Sequence, residues 1–210
     1  IDLDFAPDAD VNTNPDNPVI GTRAFSSDPQ TAAELVAAAV EGFADTGVLC
    51  CVKHYPGHGD TAEDSHKSLA ATHKTWAELA ACELLPFQAG VRAGADLVMA
   101  GHIAAPEVTG EDTPASLLPQ LMGSIRTGLG FSGAIVTDSL AMEGITGLYS
   151  AGEAAVLAVQ AGADILLMPN GLAEAFDAVV AAVEEGAIPE SRIDESAARV
   201  LALKEKRGLI

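Results

Sequence analysis

Apolar runs of strand length alternate along the chain with stretches of helical period. The runs are Leu3 to Ala6, Val48 to Val52, Asp96 to Ala100, Gly133 to Thr137 and Asp164 to Met168. Between them, Val36, Ala39, Val40 and Phe43 fall at i, i+3, i+4 and i+7, and Phe176, Val179, Val180 and Val183 repeat that spacing, so each segment predicts a helix with one apolar stripe. Asp28-Pro29 supplies an N-cap and a first-turn proline, while Gly47, Gly94, Gly130 and Gly162 stand where a helix has to stop before the next strand. A last helix, from Asp194 to Arg207, has its stripe at Ala197, Val200 and Leu201 and is expected to close the ring.

A repeated β-α order implies a parallel sheet with helical crossovers, either doubly wound or closed as a barrel. The placing of the polar residues favours the barrel. Asp8, Asp10 and Asn12, then Lys53 and His54, then His102, then Asp138, then Pro169 and Asn170 each follow the C-terminal end of a strand. In a barrel those ends converge on one mouth, whereas an open sheet has a single crevice. The expected class is therefore α/β, a (β/α)8 TIM barrel. Such a barrel takes about 250 residues and eight units, more than the strands counted, so the first βα units are expected upstream of residue 1. Residues 1–210 then read as a single catalytic barrel domain, incomplete at its N-terminus.

Charge narrows the function classes. Thirty Asp and Glu stand against 11 Lys and Arg, a formal charge of -19. Phosphate backbones and anionic membranes both need a basic surface, so neither nucleic acid nor membrane is an expected partner. Hydrophobic residues make up 49% of the chain, far from a disordered composition, and enough for one substantial core. There is no apolar run of membrane-spanning length and no basic-then-apolar leader. The three cysteines, with Cys50 and Cys51 adjacent, read as buried free thiols of a reducing compartment rather than a disulfide framework. The expected location is cytoplasmic, with a secreted form left open because the chain starts at Ile1. Oligomeric state is not readable.

The densest chemistry is KHYPGHGDTAEDSHKSL at 53–69, with three histidines, three acids and two glycines leaving a strand. Pro56-Gly57 forces a turn and Gly59 permits a close backbone approach, so the loop can fold back over a ligand. Asp64 and His66 are close enough for the carboxylate to orient the imidazole and raise its basicity, which suits acid/base work near neutral pH. Asp138 ends GAIVTDSLAM, where an acid either faces the barrel mouth or caps a helix. A carboxylate opposite a proton donor is the minimum apparatus for displacement at an anomeric carbon.

The strings IDLDFAPDADVNTNPDNPVIGTRAFSSDP at 1–29, KHYPGHGDTAEDSH at 53–66, MAGHI at 99–103 and GAIVTDSLAMEGI at 133–145 resemble glycoside hydrolase family 3, in its β-N-acetylglucosaminidase branch. The resemblance runs through essentially the whole chain. It implies that Asp138 is the nucleophile and that His66 is the acid/base, held by Asp64 in a dyad that distinguishes this branch. It also implies that Lys53 and His54 hold sugar hydroxyls, that Arg23 contacts substrate, and that Asp10 is a candidate for positioning. His102 is expected to line the mouth without a catalytic role. Ser139 stands where many relatives carry a second acid, and MAGHI replaces a commoner threonine-containing version, which puts in question only the local hydrogen bonding around Asp138 and the leaving-group preference.

The expected reaction is a retaining displacement on a terminal N-acetyl-β-D-glucosaminide, with no cofactor and no metal. Asp138 attacks while protonated His66 donates to the leaving oxygen, and neutral His66 then activates water. Activity should be bell-shaped in pH, with Asp138 setting the acid limb and His66 the alkaline limb. A histidine acid/base is neutral after giving up its proton and does not repel phosphate, so phosphorolysis is an alternative. Two further alternatives are a metal hydrolase using His54, His58, His66, His102 and Asp138, and a non-catalytic sugar-binding barrel. Trp76 reads as core packing rather than a sugar platform.

Overall fold

A computed structural model describes residues 1–62 and 69–210 of the chain. Its elements in chain order are β1 (Leu3–Asp4), α1 (Pro29–Thr46), β2 (Leu49–Tyr55), β3 (Ala70–Ala71), α2 (Trp76–Ala81), α3 (Leu84–Arg92), β4 (Leu97–Ala100), β5 (Ile103–Ala104), α4 (Pro106–Thr109), α5 (Pro119–Thr127), β6 (Ala134–Thr137), α6 (Glu143–Thr146), α7 (Ala151–Ala161), α8 (Leu172–Glu184) and α9 (Glu190–Lys206). The main sheet runs β1-β2-β4-β6, every pairing parallel, and Ile165 adds a parallel bridge beyond Val136. Among the described residues it is an arc of barrel-like sheet with helices on its outer face. Short β3 and β5 pair separately.

The two faces of the arc follow from strand parity. Cys50, Val52, Val98, Ala100 and Ile135 point outward into the large core shared with α1, α3, α5 and α7, while Cys51, Leu97, Met99, Ala134 and Val136 form the inner core with Leu3, Phe5, Ile165 and Leu167. α1 begins as its sequence indicates: the Asp28 carboxylate accepts from Thr31 N–H at 2.8 Å, Pro29 follows, and Gly47 closes the helix in the left-handed conformation. Its Val36 and Val40 are buried and Ala39 and Phe43 partly so. Gly90 lets α3 lie against β2 and α1, because a Cβ there would collide with Val52 and Val36. Cys50 and Cys51 are buried free thiols, as expected, and Cys82 is half-buried. Trp76 is 38% exposed at the N-terminus of α2, behind a capping box made by Thr75 and Glu78, and is less enclosed than core packing implied.

The two C-terminal helices depart from the expected stripes. In α8 the buried residues are Ala175 and Ala182, with Val179 and Val183 packed partly beside them, while Phe176 is 66% exposed. In α9 Ala197 and Leu201 face out, Ile193 and Leu203 pack partly against the core, and the rest of the inward face is polar. Arg192, Ser196 and Arg199 converge on the fully buried Asp164 carboxylate, which also accepts from Arg126 at 2.6 Å and from Ile135 N–H at 2.9 Å. Lys206 from the end of α9 reaches Asp96, whose other oxygen takes Cys50 N–H. The helix is thus held by carboxylates at the N-terminal ends of the strands as well as by Ile193 and Leu203, and the expected stripe at Ala197, Val200 and Leu201 is not what docks it. No helix among the described residues is long and apolar enough to cross a membrane.

Candidate active site

Parity carries the site. The inner-core residues Phe5, Met99 and Leu167, together with Lys53 and Asp138 one inward position beyond Cys51 and Val136, all line a cavity of about 190 Å³ at the C-terminal ends of the strands. Val19, Arg23, His54 and His58 complete its wall. A larger groove of about 640 Å³ lies outside the barrel between α7 and α8, but its lining is mainly apolar and brings no catalytic set together.

His54 breaks the alternation, since by parity it belongs with Cys50 and Val52 on the outer face. The peptide bond between Lys53 and His54 is cis and the β2–β4 register shifts between Val52 and Tyr55; Lys53 and His54 both line the cavity, and Tyr55 returns to the outer core. After Tyr55 the chain turns on Pro56-Gly57, with Gly57 N–H donating to the His54 carbonyl at 2.8 Å. Gly59 then runs so close to the Val11 carbonyl that any Cβ would collide with it, the close approach that the sequence suggests. Asn17 pins this stretch by donating to the carbonyls of His58 at 2.7 Å and Thr61 at 3.0 Å. Its signal in the sequence is only an Asx-turn pattern in NPDNP, which does not reveal so distant a partner.

Asp10 lies beneath the cavity rather than on it. It is 1% exposed and accepts from His58 N–H at 2.6 Å, from His54 N–H at 3.4 Å and from the His54 imidazole Nδ1 at 2.8 Å. With a carboxylate accepting at Nδ1, that nitrogen carries the proton and Nε2 keeps its lone pair toward the cavity. Burial holds the His54 pKa down to about 4, against the upward pull of Asp138 and Asp8, so the ring is neutral at pH 7. His58 is likewise held near 4 by burial and by His54. Arg23, from the short turn Gly21–Arg23, brings Nη2 to 3.5 Å from His54 Nε2 and donates from Nη1 to the Val19 carbonyl at 3.3 Å.

Asp138 follows β6 directly. Its N–H donates to the Ala100 carbonyl at 2.8 Å, and its Oδ1 accepts from Ser139 N–H at 2.7 Å. His102 does not line the mouth. It is 1% exposed, with Nδ1 2.7 Å from Ser116 Oγ and Nε2 donating to the Ser139 carbonyl at 2.9 Å, and so it fixes the turn that carries Asp138 from behind. The structure therefore brings Lys53, His54, Arg23 and Asp138 together, with Asp10 as a support. Asp64 and His66, the expected dyad, lie outside the described residues. Of the histidines read as possible metal ligands, only His54 falls in a group with ligand-range geometry among the described residues, and its companions there are Asp8 and Asp10.

The glycosyl hydrolase family 3 N-terminal domain model matches residues 1–203. The chain belongs to glycosyl hydrolase family 3. Within the family it is 37% identical to the beta-hexosaminidase LpqI of Mycobacterium tuberculosis over 97% of this chain and 54% of that protein. It superposes on a family 3 beta-N-acetylglucosaminidase from Paenibacillus sp. with a TM-score of 0.96 and 45% identity, covering 99% of this chain and 40% of that one. A structure of beta-glucoside phosphorylase BglX matches with a TM-score of 0.94 and 32% identity, over 100% of this chain and 40% of that one. The chain thus spans about half the length of the former relative and less of the other two. Its parallel α/β fold is that of the family 3 barrel domain.

Proposed function

We propose that this domain carries the catalytic centre of a retaining β-N-acetylglucosaminidase. The observation that carries the reading is Asp138, an acid delivered by strand parity onto the floor of a small polar cavity beside Lys53, His54 and Arg23. The names of the relatives support the sugar. Lys53 supplies a cation and His54 a neutral acceptor nitrogen for sugar hydroxyls, and Arg23 closes the rim. In this reading Asp138 attacks the anomeric carbon, and the leaving oxygen takes the proton of His66, which Asp64 holds. Water activated by the same, now neutral, imidazole then attacks the anomeric carbon and releases Asp138. Trapping the glycosyl-enzyme with a 2-fluoro sugar and locating the adduct by mass spectrometry identifies the nucleophile, and an adduct on any residue other than Asp138 refutes the assignment.

The resemblance to a phosphorylase favours one second reading, in which phosphate replaces water in the second half-reaction. The experiment that separates them is turnover of 4-nitrophenyl N-acetyl-β-D-glucosaminide and of the matching glucoside by the full chain, with phosphate varied. Free N-acetylglucosamine at a phosphate-independent rate supports hydrolysis. Sugar phosphate formed in proportion to added phosphate overturns it, and equal turnover of the glucoside overturns the acetamido specificity.

A further inference from the structure

Asp8 stands in the polar run after β1, yet the family resemblance gives it no role. Its backbone bridges to Lys53, and its side chain is only 8% exposed. Oδ1 accepts from Asp10 N–H at 3.1 Å. Oδ2 is buried and accepts no hydrogen bond, the Asp8 and Asp10 carboxyls lie within reach of sharing a proton, and the cation facing Oδ2 is Arg23 Nη2 at 3.5 Å. That same Nη2 lies 3.5 Å from His54 Nε2. Arg23 is 41% exposed, comes from a three-residue turn, and has no other carboxylate partner among the described residues. A desolvated oxygen without a donor and a loosely held guanidinium therefore face each other across a gap slightly too long for a hydrogen bond.

We propose that Asp8 is the positioning residue for Arg23, its Oδ2 drawing the guanidinium over His54 Nε2 so that both groups meet the hydroxyls of one bound sugar. This rests on the reading of the cavity as an N-acetylglucosaminide site. Substrate that orders Arg23 lets the Asp8 contact shorten into a charge-assisted hydrogen bond, and the buried oxygen gains its missing donor only in the complex. The interaction serves ground state and transition state alike, so its loss falls on KM rather than on kcat.

The contact also depends on pH. Burial, and after it the charge of Asp10, pushes the Asp8 pKa up from 3.8 to about 7, with His54 acting in the opposite sense. The groups facing Asp8 are Asp10 on its own segment, Lys53 and His54 on β2, and Arg23 on its turn, with Asp138 beyond His54. His54 is neutral well above its pKa of about 4, and the substrate does not titrate. Protonation of Asp8 as the pH falls through about 7 removes the anion that holds Arg23, and KM rises on the acid side.

The test compares the full-length wild type with Asp8→Asn, Arg23→Met and the double variant. It measures kcat and KM on 4-nitrophenyl N-acetyl-β-D-glucosaminide from pH 5.5 to 8.5, and binding of N-acetylglucosamine by calorimetry. Asp8→Asn should raise KM at pH 8 roughly three- to tenfold with kcat within twofold, a modest effect because Arg23 is partly solvated. It should also flatten the acid-side rise of KM. In the Arg23→Met background the Asp8 substitution should change KM no further, a coupling that a merely structural role does not produce. An unchanged KM in Asp8→Asn, or an equal effect with and without Arg23, overturns the positioning role while leaving the glycosidase reading intact. A wild type that neither turns over the acetamido sugar nor binds N-acetylglucosamine overturns both.

Discussion

Replacing Asp8 by Asn should make the folded domain more stable at neutral and alkaline pH. The carboxyl is largely out of water and beside Asp10, and the pKa of each is pushed up to about 7. For Asp10, burial outweighs the N–H donors that favour its ionised form, yet those donors place the pair's shared proton on Asp8. The unfolded chain ionises Asp8 near its ordinary 3.8, so between that value and about 7 the native state binds more protons than the unfolded state. Stability therefore falls as pH rises through this window, the opposite of the usual salt-bridged aspartate. Weighing the two ionisation equilibria at pH 5 and pH 8 gives a loss of about 2–3 kcal/mol assigned to this one group, at 1.36 kcal/mol per pKa unit. Urea unfolding of wild type and Asp8→Asn at the two pH values measures it, because titrations remote from the Asp8–Asp10 pair cancel in the difference. Asp8→Asn should gain on the wild type by about that amount on going from pH 5 to pH 8. A difference between the two proteins that does not change with pH, or that shrinks, refutes the reasoning.

Three other substitutions probe the rest of the molecule. Asp138→Ala should reduce kcat by on the order of 10⁴-fold or more while leaving the unfolding midpoint near that of the wild type, and substantial residual turnover in a purified, folded variant would remove Asp138 from the mechanism. His66→Ala should cost roughly 10²- to 10⁴-fold with a poor leaving group, but far less with an activated aryl leaving group that needs no proton. Equal losses on both substrates would argue against a general acid at that position. Asp164→Asn leaves Arg126, Arg192 and Arg199 facing a neutral amide in a buried site, and should destabilise by about 3–5 kcal/mol, roughly 10 °C in Tm by calorimetry.

The sequence makes legible what depends on periodicity and little that depends on a distant partner. The five apolar runs fall on β1, β2, β4, β6 and the Ile165 bridge, and the count by twos from Val136 to Asp138 already aims that acid at the barrel interior. α1 is equally readable because cap, proline, stripe and terminal glycine all agree. Lys53 and His54 are adjacent, and alternation alone would send them to opposite faces. Both line the cavity where the β2–β4 register shifts and their shared peptide bond is cis, and neither feature is written in the residue pattern. His102 has the strand-end position of a mouth residue but is buried against Ser116 and Ser139, contacts 14 and 37 residues away. The polar inner face of α9 hides for the same reason. A stripe search rewards apolar residues, and this helix docks through arginines onto an aspartate at the foot of another strand.

The acids at the two ends of the strands show how one fold separates stability from function. At the N-terminal ends, Asp96 and Asp164 are saturated: Asp96 takes Cys50 N–H and Lys206, and Asp164 takes one backbone N–H, Ser196 and three arginines. At the C-terminal ends, Asp8 keeps a buried oxygen that accepts no hydrogen bond, and burial pushes the pKa of both Asp8 and Asp10 up to about 7. The residue type, the burial and the strand-end setting are shared, so the difference lies in the partners supplied. A saturated carboxylate has no capacity left for a ligand. An unsaturated one weakens the fold until something arrives to complete it. The same Asp→Asn change should therefore destabilise at Asp164 and stabilise at Asp8, and that opposition in sign separates the end of the barrel that holds the domain together from the end proposed to bind sugar.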